Sequence, residues 1–205
     1  MKRLTEAGIR TGTDKATYHQ FTEFYDDIFK QYESPRILEI GIDSGNSIKM
    51  YYEYFKNPYI VAMDINPPAQ INTAKFIRGD QSNINDLLKC VDGEEPFDIV
   101  LDDGGHFMNQ QQITFGFLFN YVKSGGYFVM EDIHTSFRSE WLSNTGFTYT
   151  TYDMLKKIER NELEFSNYID IETQKCILSK IDSIDFWWRT PDNFLDSGTC
   201  VIKVK

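Results

Sequence analysis

Residues 36–47 read RILEIGIDSGNS, and this stretch decides the fold. Ile37, Leu38 and Ile40 make a short apolar run that ends in Gly41, which predicts a buried strand. Small residues then predict a turn into a helix over 47–56. Downstream the pattern repeats. YIVAMDI (59–65) is a second buried strand, 75–77 a weaker third, 83–90 a helix, and FDIVL (97–101) a fourth strand. An apolar helix over 109–122 and a strand at 126–130 follow. Upstream, TYHQFTEFYDDIFKQY (17–32) places Phe21, Phe24, Tyr25, Ile28, Phe29 and Tyr32 at helical spacing, and Pro35 closes that helix. Strands alternating with helices predict an α/β fold with a doubly wound, Rossmann-like, mostly parallel sheet covered on both faces. Residues 136–180 read as helix and loop. The segments 183–188 and 199–204, separated by Pro191 and Gly198, predict a C-terminal antiparallel hairpin.

A length of 205 residues suits one domain, spanning 1–205. With 21 basic against 31 acidic residues and a net charge of -10, no basic face is available for a phosphate backbone or an anionic membrane. Nucleic acid and membrane are therefore excluded as expected partners. Three cysteines, none in a CxxC pair, argue against a zinc ribbon and a disulfide framework and fit a reducing compartment. The first residues, MKRLTEAGIR, lack the apolar stretch of a signal peptide, and no run is long enough to span a bilayer. The expected location is cytoplasmic.

In doubly wound sheets, ligands bind beyond the carboxyl ends of the strands. After the first strand, Glu39, Gly41 and Ser47 surround a small-residue turn, but GxGxxG would need glycine at 43 and 46, where Asp43 and Asn46 stand. A dehydrogenase is accordingly the least favoured class. Carboxylates beside that turn suit a ligand without phosphates and with some positive charge. Asp64 after the second strand suits ribose hydroxyls, and Asp80-Gln81 after the third suits an adenine or ribose edge. Together they describe an adenosine-bearing sulfonium, S-adenosylmethionine. The fourth strand ends in Asp102-Asp103-Gly104-Gly105-His106 and the fifth in Glu131-Asp132. Four carboxylates at neighbouring strand tips repel unless neutralised. A hard divalent cation such as Mg²⁺ answers that need, and His106 is placed as general base near neutral pH.

At these residues a resemblance becomes specific. GTDK (12–15), LEIG (38–41), GDQS (79–82), DDGGH (102–106) and GGYFVMED (125–132) occur in that order. Over about residues 11–137 the chain resembles the Mg²⁺- and S-adenosylmethionine-dependent sugar O-methyltransferases of the macrolide (mycinamicin and demethylmacrocin) type. It is also similar to the cephalosporin hydroxylase branch and to bacterial proteins of polysaccharide and natural-product biosynthesis.

The resemblance implies that Asp103, Glu131 and Asp132 ligate the metal, and that His106, with Asp103, serves catalysis. It also implies cofactor contacts from Glu39, Gly41, Ser47, Asp64, Asp80 and Gln81. We add Asp102 and Thr13 to the cofactor set. Thr13, Asp14 and Lys15 read either as a lid over the cofactor or as a helix cap. The family's DDGSH turn has Gly105 here in place of serine, and the family's long N-terminal extension is lacking.

The expected reaction moves a methyl group to a hydroxyl of a small-molecule sugar or glycoside acceptor. The alternatives are a hydroxylase-like member of the same fold and a non-catalytic cofactor-binding protein. A homo-oligomer stands as a further option. Residues 1–33 read as a helical lid and 136–180 as an acceptor-binding insertion. Asn66-Pro67-Pro68 reads as a turn, since amine methyltransferases need that motif after the fourth strand. His19 reads as structural on the first amphipathic helix and His134 as a loop residue. Phe115–Tyr121 reads as core, and Trp187 and Trp188 as packing near the hairpin.

Overall fold

A computed structural model describes residues 3–68, 73–142 and 146–205. Three short helices come first: α1 (Arg3–Thr11), α2 (Asp14–Thr17) and α3 (Thr22–Phe29). They are followed by β1 (Arg36–Ile40), α4 (Asn46–Tyr54), β2 (Tyr59–Asp64), β3 (Lys75–Arg78), α5 (Ile84–Val91) and β4 (Phe97–Asp102). Then come α6 (Met108–Leu118), a 3-10 turn at Phe119–Tyr121, β5 (Val122–Met130) and a second 3-10 turn at Ile133–Phe137. The chain continues through α7 (Ser139–Leu142), α8 (Thr151–Glu159), α9 (Ile171–Lys180), β6 (Ile181–Trp188) and β7 (Gly198–Val204).

The seven strands form one sheet in the order β3-β2-β1-β4-β5-β7-β6. The first five are parallel, while β7 runs antiparallel to both β5 and β6. Strand order reverses between β1 and β4, which is where a doubly wound sheet opens its crevice. The hairpin expected at the C-terminal end is present, and its second strand lies inside the sheet against β5.

Side-chain alternation assigns the two faces. Leu38, Ile40, Val61, Met63, Val100, Phe128, Met130, Cys200 and Ile202 face the core covered by α5, α6, α8 and α9. Ile37, Ile60, Ala62, Ile99, Leu101, Val129 and Val201 face the core covered by α1, α3 and α4. Glu39 shares the second face with Ile37 and is fully buried, so β1 carries a carboxylate in an otherwise apolar layer. Such a group requires partners.

Three sequence expectations are corrected. The helix expected over 17–32 is confined to Thr22–Phe29. Gln20 has φ 63, a left-handed conformation that breaks the helical path, and His19 therefore lies in the bend before α3 rather than on a helix. Within 1–33, read as a helical lid, the only helix given bounds was 17–32; the structure adds α1, which buries Leu4, Thr5, Ala7 and Gly8. The helix expected over 109–122 stops at Leu118, and β5 already begins at Val122 with an irregular register before Ile99↔Tyr127.

Cys90 and Cys200 are buried, and burial pushes the Cys90 thiol up to about 12 and that of Cys200 well above its ordinary range. Cys176, half-buried on α9, is the accessible thiol. A thiol-reactive disulfide at pH 8 should modify one cysteine per native chain, mapped to Cys176 by peptide mass. More than one fast-reacting thiol would contradict this packing.

No helix among the described residues is long and apolar enough to cross a membrane.

Candidate active site

A cavity of about 630 Å³ opens over the carboxyl ends of β1, β2, β3 and β4. That is room for one small cofactor with part of a second ligand. Its floor is set by Gly41, whose φ of 81 turns the chain off β1. A Cβ on Gly41 would stand 2.0 Å from the Asp103 carbonyl oxygen, so only glycine lets the loops after β1 and β4 pass at this distance. Asp103 N–H donates to the Ile40 carbonyl at 2.8 Å, which locks the two strand tips together.

Asp64 organises the first loop. Its Oδ2 accepts from the Ile42 and Asp43 amides at 3.0 and 3.2 Å, and its Oδ1 from Asn66 N–H at 2.7 Å. Asp80 Oδ1 accepts from Ser82 N–H and Oγ–H at 2.8 and 2.7 Å. Gln81 ties the loop after β3 to the loop after β4: its Nε2 donates to Asp102 Oδ1 at 3.0 Å and its Oε1 accepts from Gly105 N–H at 2.6 Å. A side chain at Gly105 would meet the Gln110 amide, with Oε1 2.1 Å from an added Cβ, so the glycine here and the placement of Gln110 belong together.

Thr13, Gly41, Ser47, Asp64, Asp80, Gln81, Asp103, His106 and Asp132 all line the cavity. Glu39, Asp102 and Glu131 do not; each is 0–1% exposed behind its wall. Glu39 accepts from Ser47 Oγ–H at 2.8 Å through Oε2, while its Oε1 has no hydrogen-bond partner. Burial raises the pKa of Glu39 to about 7 and that of Asp102 to about 7.

Lys15 was not expected at the centre of this site. It is 1% exposed on α2, with Nζ hydrogen-bonded to Asp103 Oδ2, 3.0 Å from Glu131 Oε2 and 3.5 Å from Glu39 Oε1. Burial pulls its pKa down, but Asp103, Glu131 and Glu39 outweigh that and hold it well above the ordinary value. The charge argument that called for a metal is therefore met in part by the protein's own ammonium. Tyr25, placed by the sequence on an amphipathic helix, is fully buried. It donates its hydroxyl proton to Glu131 Oε1 at 3.0 Å, so both Glu131 oxygens are engaged. The clue to Lys15 was the GTDK run itself; a cation three residues from a loop glycine carried no sign of which carboxylates it would reach.

At one end of the cavity, ligand atoms of Asp103, His106 and Asp132 lie within 4.8 Å of one another. His106 Nε2 is 3.3 Å from Asp132 Oδ2, and buried His106 Nδ1 has no partner. The other two histidines of the chain also face Asp132: Nδ1 of His19 at 3.5 Å and Nδ1 of His134 at 3.6 Å from Oδ1. Neither forms a hydrogen bond there, and Asp132 Oδ1 is itself unpartnered. His106 and Asp132 both adopt left-handed backbone, with φ of 59 and 54. Such strain in non-glycine residues gathers at functional sites. Burial lowers the pKa of His106, lowers that of His134 to about 4, and raises that of Asp132 to about 8. Trp141 on α7 packs edge-on against His106, with ring centroids 5.9 Å apart.

No family model matches the chain. Among curated proteins it is 33% identical over 146 residues to 8-demethyl-8-(2-methoxy-alpha-L-rhamnosyl)-tetracenomycin-C 3'-O-methyltransferase of Streptomyces olivaceus. It is also 33% identical over 146 residues to mycinamicin VI 2''-O-methyltransferase of Micromonospora griseorubida. Each alignment covers 65% of this chain and 37% of the relative, so the chain spans little more than a third of the relatives' length. Among solved structures it is similar to the MycE methyltransferase of the mycinamycin biosynthetic pathway, in complex with Mg and SAH. The TM-score is 0.80 at 25% identity, covering 98% of this chain and 54% of that one. The O-methyltransferase from Bacillus cereus, with a TM-score of 0.51 at 14% identity over 100% of this chain and 91% of that one, shares the fold. The motifs from GTDK to GGYFVMED thus lie in a chain that resembles the sugar O-methyltransferases of macrolide and tetracenomycin pathways, on a Rossmann-like methyltransferase sheet.

Proposed function

We propose that the chain is an S-adenosylmethionine- and divalent-metal-dependent O-methyltransferase acting on a hydroxyl of a sugar or glycosylated small molecule. One observation carries this reading: a cavity of about 630 Å³ at the strand-order reversal, closed at one end by Asp103, His106 and Asp132 with ligand atoms within 4.8 Å. The named relatives methylate sugar hydroxyls by their descriptions, and the MycE structure holds Mg and SAH.

The donor set fits a hard cation. Asp103 and Asp132 offer carboxylate oxygens, and the buried, unpartnered Oδ1 of Asp132 is an acceptor without a donor. Glu131 would be the third ligand. A bound divalent ion would lower the pKa of an acceptor hydroxyl. Gly41, Ser47, Asp64, Asp80 and Gln81 would hold the cofactor, under a lid formed by the helices before β1. Of the acceptor-binding stretch read over 136–180, residues 143–145 lie outside the described residues; the rest, with Trp141 beside His106, would form the acceptor wall.

His106 would take the acceptor's proton, and Asp132, whose Oδ2 lies 3.3 Å from His106 Nε2, would favour the imidazolium that results. Burial keeps that imidazole neutral at pH 7. Bound S-adenosylmethionine would supply an electrophilic sulfonium methyl, and the residues at the tips of β1, β2 and β3 would hold it facing the acceptor hydroxyl. Holding oxygen and methyl in line supplies much of the acceleration.

Incubation with S-adenosylmethionine, Mg²⁺ and a panel of rhamnosides and nucleotide sugars should give S-adenosylhomocysteine and an acceptor heavier by one methylene, both abolished by EDTA. Cofactor binding without turnover on any glycoside would instead favour a non-catalytic protein.

A further inference from the structure

The metal proposed above and the Lys15 ammonium claim the same oxygens. Nζ bonds to Asp103 and lies 3.0 Å from Glu131 Oε2, and those two residues supply two of the three carboxylates assigned to the ion. A dication and an ammonium cannot share them, because like charges a few ångströms apart in a water-poor setting repel strongly. The protein offers the ammonium another seat. Glu39 Oε1 is buried, has no hydrogen-bond partner and lies only 3.5 Å from Nζ, while Glu39 Oε2 is held by Ser47. Rotation about the last torsions of the lysine would carry Nζ onto Glu39 without exposing it.

Resting on that metal-site reading, we propose that Lys15 is an internal stand-in for the divalent cation. It gathers Asp103 and Glu131 in the ion-free protein and transfers to Glu39 when the ion binds. Lys15 is then a positioning residue, not one that touches the reacting atoms. It keeps two strand tips from repelling each other before the ion arrives, and it weakens ion binding, since the ion must displace it. Thr13 and Asp14, its neighbours in the chain, line the cavity, so the transfer links ion binding to the cofactor's wall.

Mn²⁺ titrated into the full chain by calorimetry tests this without any acceptor. Lys15→Met should bind Mn²⁺ about tenfold more tightly or better, since one opposing charge is gone. Its melting temperature without ion should fall below that of the wild type, and saturating Mn²⁺ should raise it more than it raises the wild type's. Lys15→Arg, which keeps the charge, should bind no more tightly than the wild type. Equal or weaker Mn²⁺ binding by a folded Lys15→Met would overturn the inference while leaving the metal site standing. A wild-type protein that binds no Mn²⁺ would overturn both. If Lys15→Met does not fold, ¹⁵N-lysine spectra of the wild type decide. The slowly exchanging signal of the buried ammonium should shift on saturation with Mg²⁺, and an unmoved signal would sink the transfer.

Discussion

His106→Ala should lower methyl-transfer turnover by roughly 10²–10⁴-fold, the range that a positioned general base contributes. Cofactor binding should change far less, because His106 is proposed to act on the acceptor rather than to hold the cofactor. Three features of the residue point to this loss. Its backbone is held at φ 59, where a non-glycine residue costs about 1–3 kcal/mol unless its surroundings impose it. Nε2 sits 3.3 Å from Asp132 Oδ2, and Nδ1 is buried with no partner. A base must be unprotonated to act, so the rate rises with pH through its pKa. Burial puts that pKa below the ordinary 6.5, and a nearby cation would push it further down. The acid limb of the pH–rate profile should therefore lie below pH 6.5, with a plateau at neutrality. Turnover within tenfold of wild type in the alanine variant would move the base to His19 or His134, which face the same carboxylate.

The second large effect is on stability. Gly41→Ala should cost at least ~3 kcal/mol: about 1–2 for a left-handed alanine and the rest from contact with backbone. The added carbon would stand 2.0 Å from the Asp103 oxygen and 2.6 Å from the Gly104 Cα, and neither can swing aside as a side-chain tip could. Gly93 provides the control. Its φ is 72, yet nothing lies within 4 Å of an added Cβ. Gly93→Ala should therefore lose only the conformational part, about 1–2 kcal/mol. At about 2–4 °C per kcal/mol for a chain of this size, thermal melts separate the two by several degrees. Equal melting temperatures would mean that the β1 and β4 loops do not approach as closely as described.

Much of this architecture is legible in the sequence because it depends on local pattern. The run Ile37–Gly41 predicts β1, FDIVL predicts β4, and the residues after each strand reach the cavity because strand tips are where a doubly wound sheet places them. What stays hidden depends on pairings across the fold. Lys15 meets Asp103 and Glu131 across separations of 88 and 116 residues, and no periodicity near position 15 encodes either contact. Tyr25 has the spacing of a core aromatic and is one, but its hydroxyl ends on Glu131. His19 is misplaced by sequence reasoning because the apolar pattern of 17–32 continues through a bend that Gln20 makes with φ 63. Four negative charges at strand tips are legible in the sequence, but the ammonium of Lys15 on α2 that offsets part of them is not.

The placement of β7 bears on how the protein is made. Residues 198–204 lie between β5 and β6, and Thr199 both donates to the Met130 carbonyl and meets the Tyr25 hydroxyl beside Glu131. On the ribosome, everything from Lys15 to Asp132 emerges before that strand does. Until then the nascent chain carries β5 as an open, apolar edge at which another strand could dock. The carboxylate cage is thus completed by a segment made after every residue of the cluster itself, and a chain stalled or released before residue 198 would lack an assembled centre as well as a closed sheet.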